Sequence, residues 1–190
     1  MKRKMDGTEH GFDFAKGRIS GAKTVALCGM LTALAMLFSY VETLIPLNFG
    51  IPGIKLGLAN LVVLTGLYYL KPQQVLAVSL ARILLTGFLF GNGMSILYSL
   101  AGGLLSFLVM RLLMRTGEFS PAGVSIAGGV AHNAGQLIVA GLVVHTAKLV
   151  YYMPVLTVSG ALTGFLMGLL SIRVLHALKL GGGMKKRGER

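Results

Sequence analysis

Six apolar stretches, each about as long as a helix that crosses a lipid bilayer, follow one another along this chain. They cover about residues 24–45, 54–70, 73–91, 94–114, 123–146 and 154–178. A helix needs about 20 apolar residues to cross the hydrocarbon core, and only 13% of the 190 residues are charged, about half the share in soluble domains. The pattern predicts an all-α membrane protein built as a bundle of six transmembrane helices.

Proline, glycine and short polar segments separate these stretches. The turn signals are two prolines and two glycines within residues 46–53, Lys71-Pro72, Gly91-Asn92-Gly93 and Ser120-Pro121. Residues 1–23 are polar and mixed in charge, and we expect a basic, disordered tail there. The predicted organisation is therefore a tail over 1–23, a transmembrane domain over 24–178 and a second basic tail over 179–190.

The positive charges indicate how the bundle is oriented. The chain has 18 Lys and Arg residues against 6 Asp and Glu, a net charge of +12. With the N-terminus placed in the cytoplasm, fifteen of the 18 fall in cytoplasmic segments, and only Lys55 and Lys148 fall in outer loops. Basic residues that flank spans prefer the cytoplasm. We therefore expect both termini in the cytoplasm of a multi-pass protein of the bacterial cytoplasmic membrane, and no binding to nucleic acid.

Two stripes of small residues predict close helix contacts, because helices associate in lipid where small side chains let their backbones approach. On the sixth helix the stripe is Gly160, Gly164 and Gly168, and we expect it to pack inside the bundle. On the first helix the stripe is Ala22, Ala26, Gly29 and Ala33, where a partner subunit is the alternative to internal packing.

Arg82 is the most informative single residue. It lies nine residues from Gln73 and nine from Gly91, which is about 13 Å from each end of the third helix and near the bilayer centre. An arginine at that depth costs about 3 kcal/mol and needs a partner or a wet cavity. Either it binds a ligand, or it forms a structural ion pair with Glu42, although Glu42 is predicted to lie too near the outer end of the first helix for direct contact.

The fifth helix carries a second polar group among glycines. His132 and Gln136 are four residues apart and share a face, whereas Asn133 points about 100° away from them. These residues either hydrogen-bond neighbouring helices or face a cavity, which Asn60 and Tyr98 could join. Together with Lys55 at the outer mouth, Arg82 and His132 would make such a cavity electropositive, which favours an anionic or strongly polar ligand.

The sequence offers little for catalysis. It has no paired acidic residues within the spans, no P-loop and no metal-ligand spacing, and its single cysteine, Cys28, lies inside an apolar stretch. The four histidines are scattered over different segments: His10, His132, His145 and His176. We therefore expect no catalytic activity from this chain alone, and no metal or cofactor.

Several motifs in order resemble one family. They are Ser39-Tyr40-Val41-Glu42, Pro52-Gly53-Ile54-Lys55-Leu56-Gly57-Leu58-Ala59-Asn60, Arg82 followed by Gly87 and Phe90-Gly91, Ser99-Leu100-Ala101-Gly102-Gly103, and Val130-Ala131-His132-Asn133-Ala134-Gly135-Gln136. The chain resembles, from about Thr24 to about Leu178, the Gx transporter proteins, which are also called heptaprenyl diphosphate synthase component I.

The resemblance implies a protein similar to the substrate-binding S components of energy-coupling-factor transporters. Such proteins hold a small molecule near the outer side of six helices, and dock on a transmembrane coupling subunit through small residues of the first helix. Ala22, Ala26 and Gly29 match that small face. The resemblance further implies a ligand pocket that draws on Lys55, His132, Asn133 and Gln136.

Three functions remain open from the sequence. The first is a binding or transport subunit for a small, anionic or strongly polar solute, energised by a separate coupling subunit and ATPases. The second is a membrane accessory subunit for a soluble prenyltransferase, since the only aspartates, Asp6 and Asp13, cannot supply the Asp-Asp-x-x-Asp motifs of a prenyltransferase. The third is a structural subunit of a larger membrane complex.

Overall fold

The computed structural model describes residues 21–44 and 57–185, and every regular element in these two segments is helical. There are six α-helices: α1 (Gly21–Leu44), α2 (Leu58–Tyr69), α3 (Pro72–Phe90), α4 (Gly93–Thr116), α5 (Pro121–Val144) and α6 (Met153–Lys185). A 3₁₀ helix, Ala147–Tyr152, joins α5 to α6. The predicted all-α architecture is confirmed.

Five spans are long and apolar enough to cross a membrane: α1, α3, α4, α5 and the segment Lys148–Leu178. The second helix is shorter than predicted, because α2 has 12 residues and extends only about 18 Å. Its length alone does not cross a hydrocarbon core of about 30 Å. The described part of the chain therefore supports a multi-pass membrane protein, while the sixth span and the orientation of the termini stay predictions.

The helices at both ends extend beyond the predicted transmembrane domain. Helix α1 begins at Gly21, so the last three residues of the predicted 1–23 tail are helical. Helix α6 continues to Lys185, well past Leu178. Residues 1–20 and 186–190 lie outside the described residues.

Local sequence signals explain where the central helices begin and end. The Asn92 side chain accepts a hydrogen bond from the Ser95 N–H at 2.8 Å and so caps α4. Ser120 caps α5 in the same way, with Pro121 at the first helical position. Gly117 ends α4 in the left-handed conformation, with φ of 72°, which glycine adopts without strain.

Helix α5 packs backbone to backbone on both of its neighbours. A Cβ atom added to Gly135 would lie 2.7 Å from the Ala101 carbonyl oxygen of α4. Cβ atoms at Gly164 and Gly168 of α6 would lie 2.6 Å from the Ser125 carbonyl oxygen and 2.7 Å from the Ala122 Cα of α5. These contacts require glycine, and they make α4, α5 and α6 a tightly packed unit.

The two ends of the bundle differ in character. At the end where α2 and α4 finish and α3 and α5 begin, buried apolar side chains form a continuous core: Val63, Leu64, Leu67, Val75, Phe107, Met110 and Val124. We call this the apolar end. At the opposite end, which we call the polar end, the helices enclose a cavity.

Candidate functional site

A cavity of about 160 Å³ lies among all six helices at the polar end of the bundle. Helices α1 and α3 contribute their C-terminal halves, α2 and α4 their N-terminal turns, and α5 and α6 their middles. The polar side chains of its lining are Ser39, Glu42, Thr43, Asn60, Arg82, Thr86, Ser95, Ser99, His132, Asn133 and Thr163. Such a concentration of polar groups within apolar helices is costly in lipid and marks a candidate binding site.

Arg82 of α3 faces this cavity. Its Nη1 atom donates a long hydrogen bond of 3.4 Å to the Ser39 hydroxyl of α1. Its Nε atom is buried and has no hydrogen-bond partner. The hydroxyl of Thr86, one helical turn later on the same face, is likewise buried without a partner. Buried polar groups are almost always hydrogen-bonded, so two unsatisfied groups side by side need an explanation.

Glu42, which was predicted to lie too near the outer end of the first helix for direct contact with Arg82, lines the same cavity as the arginine. Its Oε1 atom accepts a hydrogen bond of 2.7 Å from the Leu58 N–H in the first turn of α2. Gly57 precedes that turn with φ of 76° and brings the start of α2 to the carboxylate. Glu42 also interacts electrostatically with Arg82. The carboxylate therefore stabilises the positive N-terminal end of α2 as well as the charge of Arg82.

The three polar residues of α5, His132, Asn133 and Gln136, differ in whether they line the cavity or contact neighbouring side chains and helices. The Asn133 amide donates to the Leu156 carbonyl of α6 at 2.8 Å, while His132 Nε2 and Gln136 Nε2 lie 3.1 Å apart. His132 and Asn133 line the cavity, and Gln136 lies beside His132 outside the lining. Gly102 of α4 makes room for this pair, because an added Cβ would lie 2.9 Å from the Gln136 Cγ.

Of the six predicted ligand-binding residues, four line the cavity: Asn60, Arg82, His132 and Asn133. The Asn60 amide also donates to the Ser106 hydroxyl at 3.5 Å. Tyr98 is absent from the lining. Lys55 lies outside the described residues. Within the described segments no group of three His, Cys, Asp or Glu side chains is placed to hold a metal ion.

The hydroxyl residues of the lining were not predicted as site residues: Ser39, Thr43, Thr86, Ser95, Ser99 and Thr163. Serine and threonine are common in transmembrane helices and carry no signal individually. Spacing offered one clue, because Thr86 follows Arg82 by four residues and must share its face.

The two small-residue stripes have different surroundings. Gly160, Gly164 and Gly168 are buried against α5. The stripe on α1, formed by Ala22, Ala26, Gly29 and Ala33, is exposed along its whole length, and nothing lies within 4 Å of a Cβ added to Gly29.

Comparison with known proteins gives one match. Residues 31–174 match the family described as heptaprenyl diphosphate synthase component I. The chain belongs to this family. No curated protein matches the sequence, and no solved structure matches the fold. The match covers α2 to α5, most of α1 and two thirds of α6, so every described residue of the cavity lies inside it.

Proposed function

We propose that this protein is an integral membrane subunit that binds a small, polar or anionic solute in the cavity beside Arg82. The observation that carries the proposal is the pair of buried, unsatisfied groups, Arg82 Nε and Thr86 Oγ1, in a polar cavity. An arginine near the centre of a bilayer costs about 3 kcal/mol on insertion scales. A solute that accepts hydrogen bonds from these groups would offset that cost.

In this proposal the chain is the binding subunit of a carrier in the bacterial cytoplasmic membrane, with six spans and cytoplasmic termini. Its sequence has no P-loop, so the energy for transport would come from separate ATPases through a transmembrane coupling subunit. The exposed face of α1 around Ala26 and Gly29 is where that subunit would dock if the chain works as an S component.

A second function is favoured by family membership. Component I of heptaprenyl diphosphate synthase would act as a membrane accessory subunit for a soluble prenyltransferase in isoprenoid synthesis. The chain would contribute membrane attachment or lipid delivery, since prenyl transfer needs aspartate-rich magnesium sites that it lacks. A third, purely structural role in a larger complex would leave the cavity without an occupant.

Extraction of the bound solute tests the binding function directly. Tagged wild-type protein is purified from native membranes in mild detergent and denatured, and the released small molecules are identified by mass spectrometry. We expect a small polar solute from the wild type and from the control Arg111→Gln, but none from Arg82→Gln. Arg111 is a suitable control because it lies near the end of α4, away from the cavity. Equal release from both variants would contradict the proposal.

Proteins recovered in the same purification distinguish the carrier from the synthase subunit. A transmembrane coupling protein and ATPases are expected for the carrier. Recovery of a soluble prenyltransferase without ATPases, together with an altered quinone profile in a deletion strain, would favour the accessory role. Recovery of a large membrane complex with no released solute would favour the structural role.

A further inference from the structure

Given the proposed binding function, we infer that the solute carries a single carboxylate-type oxyanion, held by Arg82 and Thr86. The two residues lie on one face of α3, one turn apart, and both line the cavity. The Arg82 Nε–H and the Thr86 hydroxyl are the two buried polar side-chain groups left without partners among the described residues. One oxyanion would accept from both.

The free edge of the guanidinium has the geometry that an oxyanion needs. Ser39 engages Nη1, the amino group on the far side of the guanidinium from the Nε–Nη2 edge. Nε and Nη2 point the same way and form the two-pronged edge that binds carboxylates and phosphates with parallel hydrogen bonds. Since Nε is unpartnered, the hydrogen bond that Nη1 donates to Ser39 orients the side chain and leaves this edge for a ligand.

The charges of the cavity limit the ligand to about one negative charge. Arg82, Glu42 and His132 line it, and with His132 neutral the formal charges of the arginine and the carboxylate cancel. The Glu42 carboxylate also accepts a hydrogen bond from the Leu58 N–H in the first turn of α2. The N-terminus of that helix is equivalent to roughly half a positive charge, which leaves the cavity with a small positive surplus. A diphosphate would bring two or three negative charges against this small surplus, and charges buried without compensation are costly.

Size and the remaining lining describe the rest of the ligand. About 160 Å³ is below the roughly 300–1,000 Å³ of pockets for drug-sized molecules. Asn60, Ser99 and Thr163 add uncharged polar groups to the lining. The ligand is therefore a compact molecule with one carboxylate and an uncharged, hydrogen-bonding body, and it is not a long-chain prenyl diphosphate.

Nuclear magnetic resonance of the arginine Nε–H groups tests the inference on the full-length, solute-free protein in detergent micelles. The probes are acetate, lactate, inorganic phosphate and pyrophosphate at equal ionic strength, and the Arg82 signal is assigned by its loss in Arg82→Lys. We expect acetate and lactate to shift the Arg82 signal saturably, with pyrophosphate having no saturable effect. Thr86→Val should weaken this binding about tenfold through loss of a hydrogen bond to a charged group, whereas Thr86→Ser should retain it.

Three outcomes of the resonance experiment would overturn the inference. They are a stronger response to pyrophosphate than to lactate, no saturable response to any monocarboxylate, and equal affinity in Thr86→Val and Thr86→Ser. The Arg111 signal serves as the control for general ionic effects. Because all probes are added at equal ionic strength, we expect no shift of this signal. If the solute extracted from wild-type protein has no carboxylate, the inference fails while the binding function stands. If no solute is extracted at all, the binding function itself fails.

Discussion

The polar end and the apolar end of this bundle share helices α2, α3, α4 and α5 but have opposite packing. At the apolar end, side chains such as Leu64, Met110 and Val124 are at most 1% exposed and fill the space between helices. At the polar end, those helices turn hydroxyls, amides and one arginine toward a cavity. Membrane helices gain no free energy from burying polar groups without partners. This difference fits the proposed function, in which the apolar end maintains the fold and the polar end binds a solute.

The largest expected effect is at the contact between α6 and the start of α5. Gly168→Leu places a side chain where a Cβ alone would lie 2.7 Å from the Ala122 backbone, so α5 and α6 must separate. We expect a loss of stability of about 3 kcal/mol, measured as loss of the monodisperse peak in fluorescence-detected size exclusion after heating. Gly168→Ala is the milder companion variant. Wild-type stability in Gly168→Leu would contradict the close packing described here.

A cavity made at the apolar end should lower the free energy of unfolding slightly less than Gly168→Leu does. Leu64 is 1% exposed at the centre of the core, and Leu64→Ala removes packing contacts that lipid cannot replace. We expect a loss of about 2–3 kcal/mol in detergent unfolding, with solute retained in the protein that remains folded. Loss of solute from well-folded Leu64→Ala protein would contradict the assignment of the apolar end to stability alone.

A substitution at the polar end should have the opposite effects to Leu64→Ala, with stability retained and solute lost. Thr163→Val keeps the volume of the side chain and removes a hydroxyl that lines the cavity and bonds only to the Ser159 and Gly160 carbonyls of its own helix. We expect the unfolding free energy to change by less than about 0.5 kcal/mol, and the amount of released solute to fall severalfold. A destabilised Thr163→Val with undiminished solute would assign the polar end to folding.

The smallest effect on stability is expected on the outside of α1. Gly29→Leu repeats the glycine-to-leucine change at an exposed position where nothing lies within 4 Å. The midpoint of thermal unfolding and the amount of released solute should both match the wild type. Recovery of partner proteins from native membranes should fall if the α1 face is a docking surface, and unchanged recovery would assign that face to lipid.

Much of the fold could be predicted because helix ends in this chain are marked by proline, glycine and capping residues. Predicted and observed bounds of α3 and α4 differ by at most two residues, since Pro72, Asn92 and Gly117 fix them. The shortness of α2 was missed because Ile54 and Leu56 extend the apolar stretch, whereas the helix begins only after Gly57, whose φ is 76°. The 3₁₀ helix was missed because three residues per turn leave no amphipathic pattern in six residues.

Site residues could be predicted from the sequence where their side chains have a high free-energy cost in lipid. The other residues of the lining could not be predicted. Arg82 and His132 were recognisable as polar residues within spans. The place of Glu42 in the lining could not be predicted from its depth in α1 alone, because it depends on Gly57, which lets α2 begin beside the carboxylate. The hydroxyls of Ser99 and Thr163 converge from different helices, which no single-helix periodicity reveals.

We propose that Arg82 is present for a ligand and not for the fold. The most direct test is the unfolding free energy of solute-free Arg82→Gln protein against solute-free wild type in the same detergent. Because Arg82 Nε lacks a partner and Glu42 keeps its bond to the Leu58 N–H, we expect equal or higher stability in the variant, by up to about 1 kcal/mol. A decrease of about 3–5 kcal/mol, typical of a broken buried ion pair, would contradict the claim.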